Sequence, residues 1–323
     1  MKLADKFYDY RRDGITQGLL SKFMNCRQET RLFLDGWSPK KSNSAGLTYG
    51  SIFHGALEIY YNDLIQRKLK TVPSGSYISK LLADVERKWK SENAHDSNDA
   101  RSLLELSCGI AEATLPHYFR KWWRDDAKIR WQSMEQEFRI PFTTKDGRKT
   151  FLRGKKDGVF GSPNIWLFET KTKSLINEGN LIDTLWYELQ VNFYLYAMLK
   201  LYKKHPSGVL YNIIRRTCLE RKKSETLKAF LSRVSGDVEN RPDFYFMRYE
   251  ISTTKSELLK FETELEGLIT DFMDWCDGLV PHYKNTAQCI TKYGRCSMLP
   301  ICSSGAYNQF EKRKTVFREL EDF

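Results

Sequence analysis

Two carboxylates and a lysine stand inside a stretch that otherwise reads as buried β-strand, and this restricts the fold more tightly than any other feature of the chain. From Trp131 the residues alternate, with Met134, Gln136, Phe138 and Ile140 in one set, up to a turn at Lys145-Asp146-Gly147-Arg148. Thr150 to Phe160 and Ile165 to Lys173 then read as two more strands joined by Gly161 to Asn164, because turn residues between apolar runs favour hairpins. Asp157 ends one of these strands, and Glu169 and Lys171 lie on the next. Side chains of a strand repeat every two residues, so Glu169, Lys171 and Lys173 share a face. Apolar neighbours such as Val159, Phe160, Ile165, Trp166 and Phe168 would normally exclude such charges.

The rest of the pattern places this meander in a mixed α/β fold. The first 130 residues read as helical, with Ile52, Phe53, Leu57 and Tyr60 at helical spacing and a second periodic stretch from Ser102 to Trp123. Past the meander, the sequence predicts a helix over 184–202 and strands near 208–214 and 244–251 that bracket a short basic helix. A helix over 252–275, a cysteine-bearing loop and a last charged helix complete the chain. The expected architecture is a mixed central sheet flanked by helices. It divides into a helical region 1–130, a core 131–280 and a cysteine-bearing segment 281–323, read as one integrated domain.

Asp157, Glu169 and Lys171 form the set that phosphodiester hydrolysis needs. Hard cations such as Mg²⁺ prefer oxygen ligands, and two carboxylates supply them. The metal activates a water and neutralises phosphate charge, while a lysine can orient or deprotonate the water or stabilise developing charge. Eleven residues separate Asp157 from Glu169 and one separates Glu169 from Lys171. That spacing alone recurs by chance in many proteins, so the surrounding motifs must carry the assignment.

Those motifs are Gly50 to Glu58, with His54 at its centre, and Glu188 to Tyr194, with Gln190 and Tyr194 four residues apart on one helical face. In this order, with the strand pair between them, they resemble the RecB-like branch of the PD-(D/E)XK nucleases from about Cys26 to Cys302. The resemblance implies a restriction-endonuclease-like core in which His54, Asp157 and Glu169 hold Mg²⁺ or Mn²⁺. Lys171 would assist the attacking water, and Gln190 and Tyr194 would shape the site. Lys156 stands where the family's name has proline, a position that varies in the branch. Glu58 is a candidate to orient His54, and Glu135 and Glu137 remain unassigned candidates. The bland readings are a packed histidine and a core Tyr194.

Seven cysteines in a chain whose first residues carry charges rather than an apolar leader argue against a disulfide framework and for a cytoplasmic protein. Cys289, Cys296 and Cys302 crowd into fourteen residues, and Cys26 lies far upstream. One distant cysteine with three near the C-terminus resembles the ligand set of a 4Fe–4S cluster in AddB-type and CRISPR-adaptation nucleases, although the first two C-terminal cysteines are further apart than usual there. Four thiolates also suit zinc, and buried free thiols are the third reading. Cys108, Cys218 and Cys276 read as core residues.

Fifty-two Lys and Arg against 41 Asp and Glu leave a net charge of +11, which favours a polyanionic partner. Lys155, Lys156, Lys173, Arg215, Arg216, Arg221, Lys222 and Lys223 are the candidate phosphate contacts, and Trp122, Trp123, Trp186 and Tyr187 the candidate stacking surfaces for single-stranded bases. No run reaches the ~20 apolar residues of a membrane span. The expectation is a metal-dependent exonuclease acting on DNA ends or single strands in replication, recombination or repair, with a loose resemblance to phage-encoded members over 211–248. A structure-specific endonuclease shares every one of these residues, and a non-catalytic DNA-binding module is the alternative of a different class.

Overall fold

The computed structural model describes residues 7–40, 45–92, 98–174, 176, 184–185, 187–291, 294–318 and 320. Strand β1 (Ile15–Thr16) leads into α1 (Gln17–Asn25), α2 (Arg27–Leu34) and β2 (Trp37–Pro39). Three longer helices follow: α3 (Ala45–Ile65), α4 (Gly75–Glu92) and α5 (Asn98–Asp126). Strands β3 (Trp131–Thr143), β4 (Lys149–Phe160) and β5 (Trp166–Lys173) form the expected meander. After it come α6 (Leu189–Tyr202), β6 (Gly208–Arg215), α7 (Leu227–Asn240), β7 (Phe246–Ser252), α8 (Lys255–Cys276), α9 (Leu299–Ser304) and β8 (Phe310–Lys312).

Local chemistry sets several of these boundaries. The Thr16 hydroxyl accepts the Leu19 N–H at 3.1 Å and starts α1, satisfying a donor that the helix itself cannot. A capping box of Thr254 and Glu257 starts α8 in the same way.

The central sheet has six strands, ordered β1-β4-β5-β6-β7 with β3 also paired to β4. The β3–β4, β4–β5 and β6–β7 pairs are antiparallel, while β5–β6 and β1–β4 are parallel. Helix α6 makes the crossover that a parallel β5–β6 pair requires. One face of the sheet packs against α1, α6 and α8 through Leu19, Leu20, Leu152, Leu167, Val191 and Leu265. The other packs against α3, α4, α5 and α7 through Phe53, Leu81, Leu115, Phe168, Leu210 and Val234. Each such side chain contributes roughly 1.5–3 kcal/mol by leaving water. Because Leu167 and Phe168 enter opposite layers, both faces of β5 are buried, which is why its first residues run apolar without alternation.

Four local expectations give way to the structure. Helix α6 begins at Leu189 instead of 184, because Glu188 is extended and caps it. The helix between β6 and β7 is not basic: the basic residues 215–223 form the end of β6 and a loop, and Thr226 starts α7 beyond them. Pro242 opens a one-turn helix, which delays β7 to Phe246. The last charged segment forms no helix among its described residues. Instead Phe310, Glu311 and Lys312 pair antiparallel with Pro39, Ser38 and Trp37. Lys312 lies 3.9 Å from the Trp37 ring and Arg313 lies 3.7 Å from the Phe33 ring, so cation–π contacts hold these charges against the N-terminal region.

Candidate active site

The site opens where β4 and β5 part. Their ladder pairs Phe160, Val159 and Gly158 with Trp166, Leu167 and Phe168, and the next residues on each strand are Asp157 and Glu169. On the other side of β4, the ladder pairs Met134 with Gly158 and Gln136 with Lys156, passing over Glu135 and Asp157. Glu135 has φ of +46°, uncommon for a residue with a Cβ. Both carboxylates thereby leave the hydrogen-bonding pattern and face the same opening as His54 of α3.

Two sets of contacts define the geometry. The Thr170 N–H donates to Asp157 Oδ2 at 2.8 Å. His54 Nδ1 lies 3.5 Å from Asp157 Oδ2 and 3.8 Å from Glu135 Oε1, and Lys155 Nζ reaches Glu135 Oε2 at 2.9 Å. In the second set, Lys171 Nζ donates to Glu169 Oε1 at 2.7 Å and to Gln190 Oε1 at 2.6 Å, and Gln190 Nε2 donates to Glu169 Oε1 at 2.8 Å. Gln190 therefore reaches the catalytic strand from the first turn of α6. Tyr194, one turn on, is buried with its ring 5.9 Å from that of Phe138. It also abuts Gly154, where an added Cβ would stand 2.9 Å from Phe138 and 3.1 Å from Tyr194. Glycine there lets the ring lie close to β4.

The electrostatics are those of a crowded acid site. Burial, followed by repulsion from Asp157, pushes the Glu169 carboxyl up to about 8. Burial raises Asp157 too, against the pull of His54 and Lys171. Burial opposes charge on His54, but Asp157 and Glu135 outweigh it and lift its pKa to about 9. Burial likewise opposes charge on Lys171, yet Glu169 and Glu188 hold its pKa above the ordinary value.

A divalent cation fits this donor set. Glu169 is wholly buried, and its Oε2 has no hydrogen-bond partner, a costly state unless something positive meets it. His54, Glu135 and Asp157 each offer an atom, all lying within 4.8 Å of one another; Glu169, the expected third ligand, is not in that group and Glu135 stands in its place. Glu135 belongs here although the motifs did not select it. Its only sequence signal is a carboxylate in the strand next to that of Asp157; the left-handed backbone that aims it is not legible in composition.

His54, Glu135, Asp157, Gln190 and Tyr194 line a cleft of about 1950 Å³ that runs from α1 past α3 and α4 to the C-terminal segment, with Glu169 and Lys171 behind its wall. Lys155, Lys173 and Arg216 border it, as do Glu58 and Glu137. Glu58 faces Lys88 at 3.6 Å. Other expected phosphate contacts lie elsewhere. Lys156 points to the opposite face of β4, fully buried against the Phe138 and Tyr202 rings. Arg215 is buried and donates to the Phe244 carbonyl. Arg221, Lys222 and Lys223 are exposed but do not border the cleft. Trp122 and Trp123 pack against the helical core, Tyr187 is exposed, and Trp186 lies outside the described residues.

The four candidate cluster cysteines lie where the N-terminal helices meet the C-terminal segment, without forming a group as close as that of His54, Glu135 and Asp157. Cys26, at the α1–α2 junction, accepts the Asn285 N–H at 3.4 Å. The Cys296 N–H donates to the Cys289 carbonyl at 2.9 Å. Burial raises the Cys302 thiol, and Cys26 and Cys289 raise it further. Burial also raises Cys296, with Cys302 and Cys26 adding to it. Cys296 and Cys302 pack against a small apolar cluster of Leu32, Met298, Ile301 and Phe310. All seven cysteines are free thiols. Cys108 and Cys276 pack against the cores, and Cys218 is exposed instead of buried.

A family model described as the PD-(D/E)XK nuclease superfamily matches residues 17–303. Among solved structures, the chain is similar to a protein from Eubacterium rectale provisionally named an exonuclease, with 13% identity and a TM-score of 0.45 over 96% of this chain and 91% of that one. It is also similar to the protein SSO0001, with 15% identity and a TM-score of 0.31 over 90% and 96%. Both superpositions are distant. No curated protein matches the sequence. No helix among the described residues is long and apolar enough to cross a membrane.

Proposed function

Because the chain belongs to the PD-(D/E)XK nuclease superfamily, we propose that it is a divalent-metal-dependent DNA nuclease of the RecB-like branch, acting as an exonuclease on DNA ends or single strands. The observation that carries this reading is the meeting of Asp157, Glu169 and Lys171 where β4 and β5 part, with one Glu169 oxygen left unpartnered. In this reading Asp157 and Glu169 hold Mg²⁺ or Mn²⁺ with His54, and Glu135 adds a donor. The bound cation supplies Lewis acidity toward the scissile phosphate and a more acidic water.

The protein's own groups divide the remaining work. Lys171, held against Glu169 at 2.7 Å, orients the attacking water and stabilises phosphate charge. Gln190 fixes the Lys171 ammonium and the Glu169 carboxylate relative to each other, and Tyr194 shapes the wall behind them. Lys155, Lys173 and Arg216 draw the phosphate backbone along the cleft, giving affinity without sequence reading.

The cysteine centre has a structural role in this reading. Cys26, Cys289, Cys296 and Cys302 bind a 4Fe–4S cluster that ties the two ends of the fold together. A single zinc would hold four sulfurs about 3.8 Å apart. Among the described residues no three of these sulfurs lie within 4.8 Å of one another, so they stand wider apart than a single zinc would hold them. Anaerobically purified protein should be brown, with absorption near ~400 nm; a colourless, zinc-loaded protein would overturn the assignment.

The activity test uses purified protein with Mg²⁺ or Mn²⁺ on linear and circular single-stranded DNA. Degradation of linear DNA alone supports the exonuclease. Cutting of circles replaces it with the endonuclease reading, and no cleavage of any DNA leaves a binding module.

A further inference from the structure

A row of polar groups crosses the sheet beneath the site. Thr170 of β5 pairs in register with Asn212 of β6, and Asn212 with Arg248 of β7. The three side chains form a continuous chain. Arg248 Nε donates to Asn212 Oδ1 at 3.3 Å, and Asn212 Nδ2 donates to Thr170 Oγ1 at 3.2 Å. Thr170 then donates its backbone N–H to Asp157 Oδ2.

The far end of the row is an anchor. Arg248 makes two bonds to Asp126, the last residue of α5, at 2.6 and 3.1 Å. Its Nη2 also donates to the Tyr61 and Tyr118 hydroxyls at 2.8 and 3.0 Å. Tyr61 donates to Asp126 and Tyr118 to Asn212, each at 3.1 Å. Asp126, Asn212 and both tyrosines are essentially inaccessible. An ion pair buried this deeply is a poor route to stability alone, since an apolar replacement of equal volume often serves better. When every member is satisfied, such a network does fix one geometry.

We propose that Asn212 and Arg248 are positioning residues for the metal-binding carboxylate, acting through Thr170. Their direction of bonding is determined. Arg248 and Tyr118 occupy the Asn212 oxygen, so only its NH₂ faces Thr170, and the Thr170 hydroxyl must accept. This fixes the threonine rotamer and the lateral offset of β5. With that offset set, the Thr170 N–H points at Asp157 Oδ2, the oxygen that also lies 3.5 Å from His54 Nδ1 in the opening. The row thus orients a metal-binding carboxylate without touching metal or DNA, and the inference rests on the nuclease reading above.

The experiment compares wild type with Thr170→Val, Thr170→Ser and Asn212→Leu, using Mn²⁺ titration calorimetry and thermal melting. Thr170→Val keeps the shape and the N–H but removes the acceptor. It should weaken Mn²⁺ binding about tenfold or more, as loss of a ligand's orienting partner does. Thr170→Ser restores the oxygen and should restore affinity to within about threefold. A merely structural role would make metal affinity follow melting temperature; here serine recovers affinity whichever way its melting point moves. Asn212→Leu should match Thr170→Val in metal affinity. Wild-type Mn²⁺ affinity in Thr170→Val, or failure of serine to recover it, would overturn the inference while leaving the nuclease reading intact. Wild-type protein that takes up no Mn²⁺ would overturn both.

Discussion

Lys171 and Gln190 grip each other from two different elements, the lysine Nζ of β5 donating to the glutamine Oε1 of α6 at 2.6 Å. The same glutamine donates to Glu169, so a single amide orients an acid and a base partner at once. Replacing it separates positioning from chemistry. Gln190→Ala should lower kcat about tenfold with KM for DNA nearly unchanged, as removal of an orienting group does. Lys171→Ala should lower kcat by at least about a hundredfold, the usual cost of losing charge stabilisation at a transition state. Both variants should still bind DNA in a filter or anisotropy assay, and undiminished cutting by Lys171→Ala would remove the catalytic assignment.

Removal of divalent cation should silence the protein and soften it. Glu169, Asp157 and Glu135 lie close together, with His54, Lys155 and Lys171 as their counter-charges among the described residues. Chelation should therefore lower the melting temperature, and Mg²⁺ at a hundredfold excess over Kd should raise it through roughly 2.7 kcal/mol of mass-action stabilisation. Asp157→Ala should abolish that Mg²⁺-dependent rise in a melting experiment.

Lys156 offers a stability test outside the cleft. Its ammonium is fully buried without a hydrogen-bond partner, and burial pulls its pKa from 10.5 down to about 8. Below pH 8 the folded protein must carry an unfavourable buried charge. That cost is relieved as pH rises from about 8 toward 10.5, where the unfolded lysine also loses its proton. Lys156→Met should therefore stabilise the protein at pH 7 by up to about 3 kcal/mol, with ~1.4 kcal/mol for each pKa unit. Urea unfolding at pH 7 and pH 10 should show the advantage shrinking at the higher pH.

The Asp126–Arg248 pair should respond in the opposite sense. Asp126→Asn leaves the buried guanidinium short of its counter-charge and should cost about 3–5 kcal/mol, read from the urea midpoint. Replacing both partners by apolar residues of matched volume should recover much of that loss.

Cysteine exchange should distinguish ligands from bystanders. Cys26→Ser should lose most bound iron by elemental analysis, whereas Cys218→Ser, at an exposed site, should retain it. Equal iron in both proteins would remove Cys26 from the ligand set.

Much of this arrangement was legible before coordinates because charge inside an apolar strand is expensive and therefore informative. Asp157, Glu169 and Lys171 stood out for that reason, and the helical spacing of Gln190 and Tyr194 placed them beside one another. Glu135 was ambiguous: its role depends on a left-handed backbone at one position, which no residue type other than glycine announces. The buried row of Thr170, Asn212 and Arg248 was invisible for another reason. It is a cross-strand register between three distant segments, and pairing partners are not written in local pattern. Lys156 misled because consecutive strand residues face opposite ways, so sharing a basic run with Lys155 says nothing about sharing a surface. The final charged segment read as a helix because its partner strand lies some 270 positions earlier.

That last pairing ties one wall of the cleft to a strand pair outside the central sheet. Residues 310–312 zip onto 37–39, and Arg313, Val316 and Phe317 then form one bank of the cleft beside Phe33. The width of the channel therefore depends on three paired residues that the six-stranded sheet does not include, so a change that loosens them reshapes the channel and leaves that sheet whole.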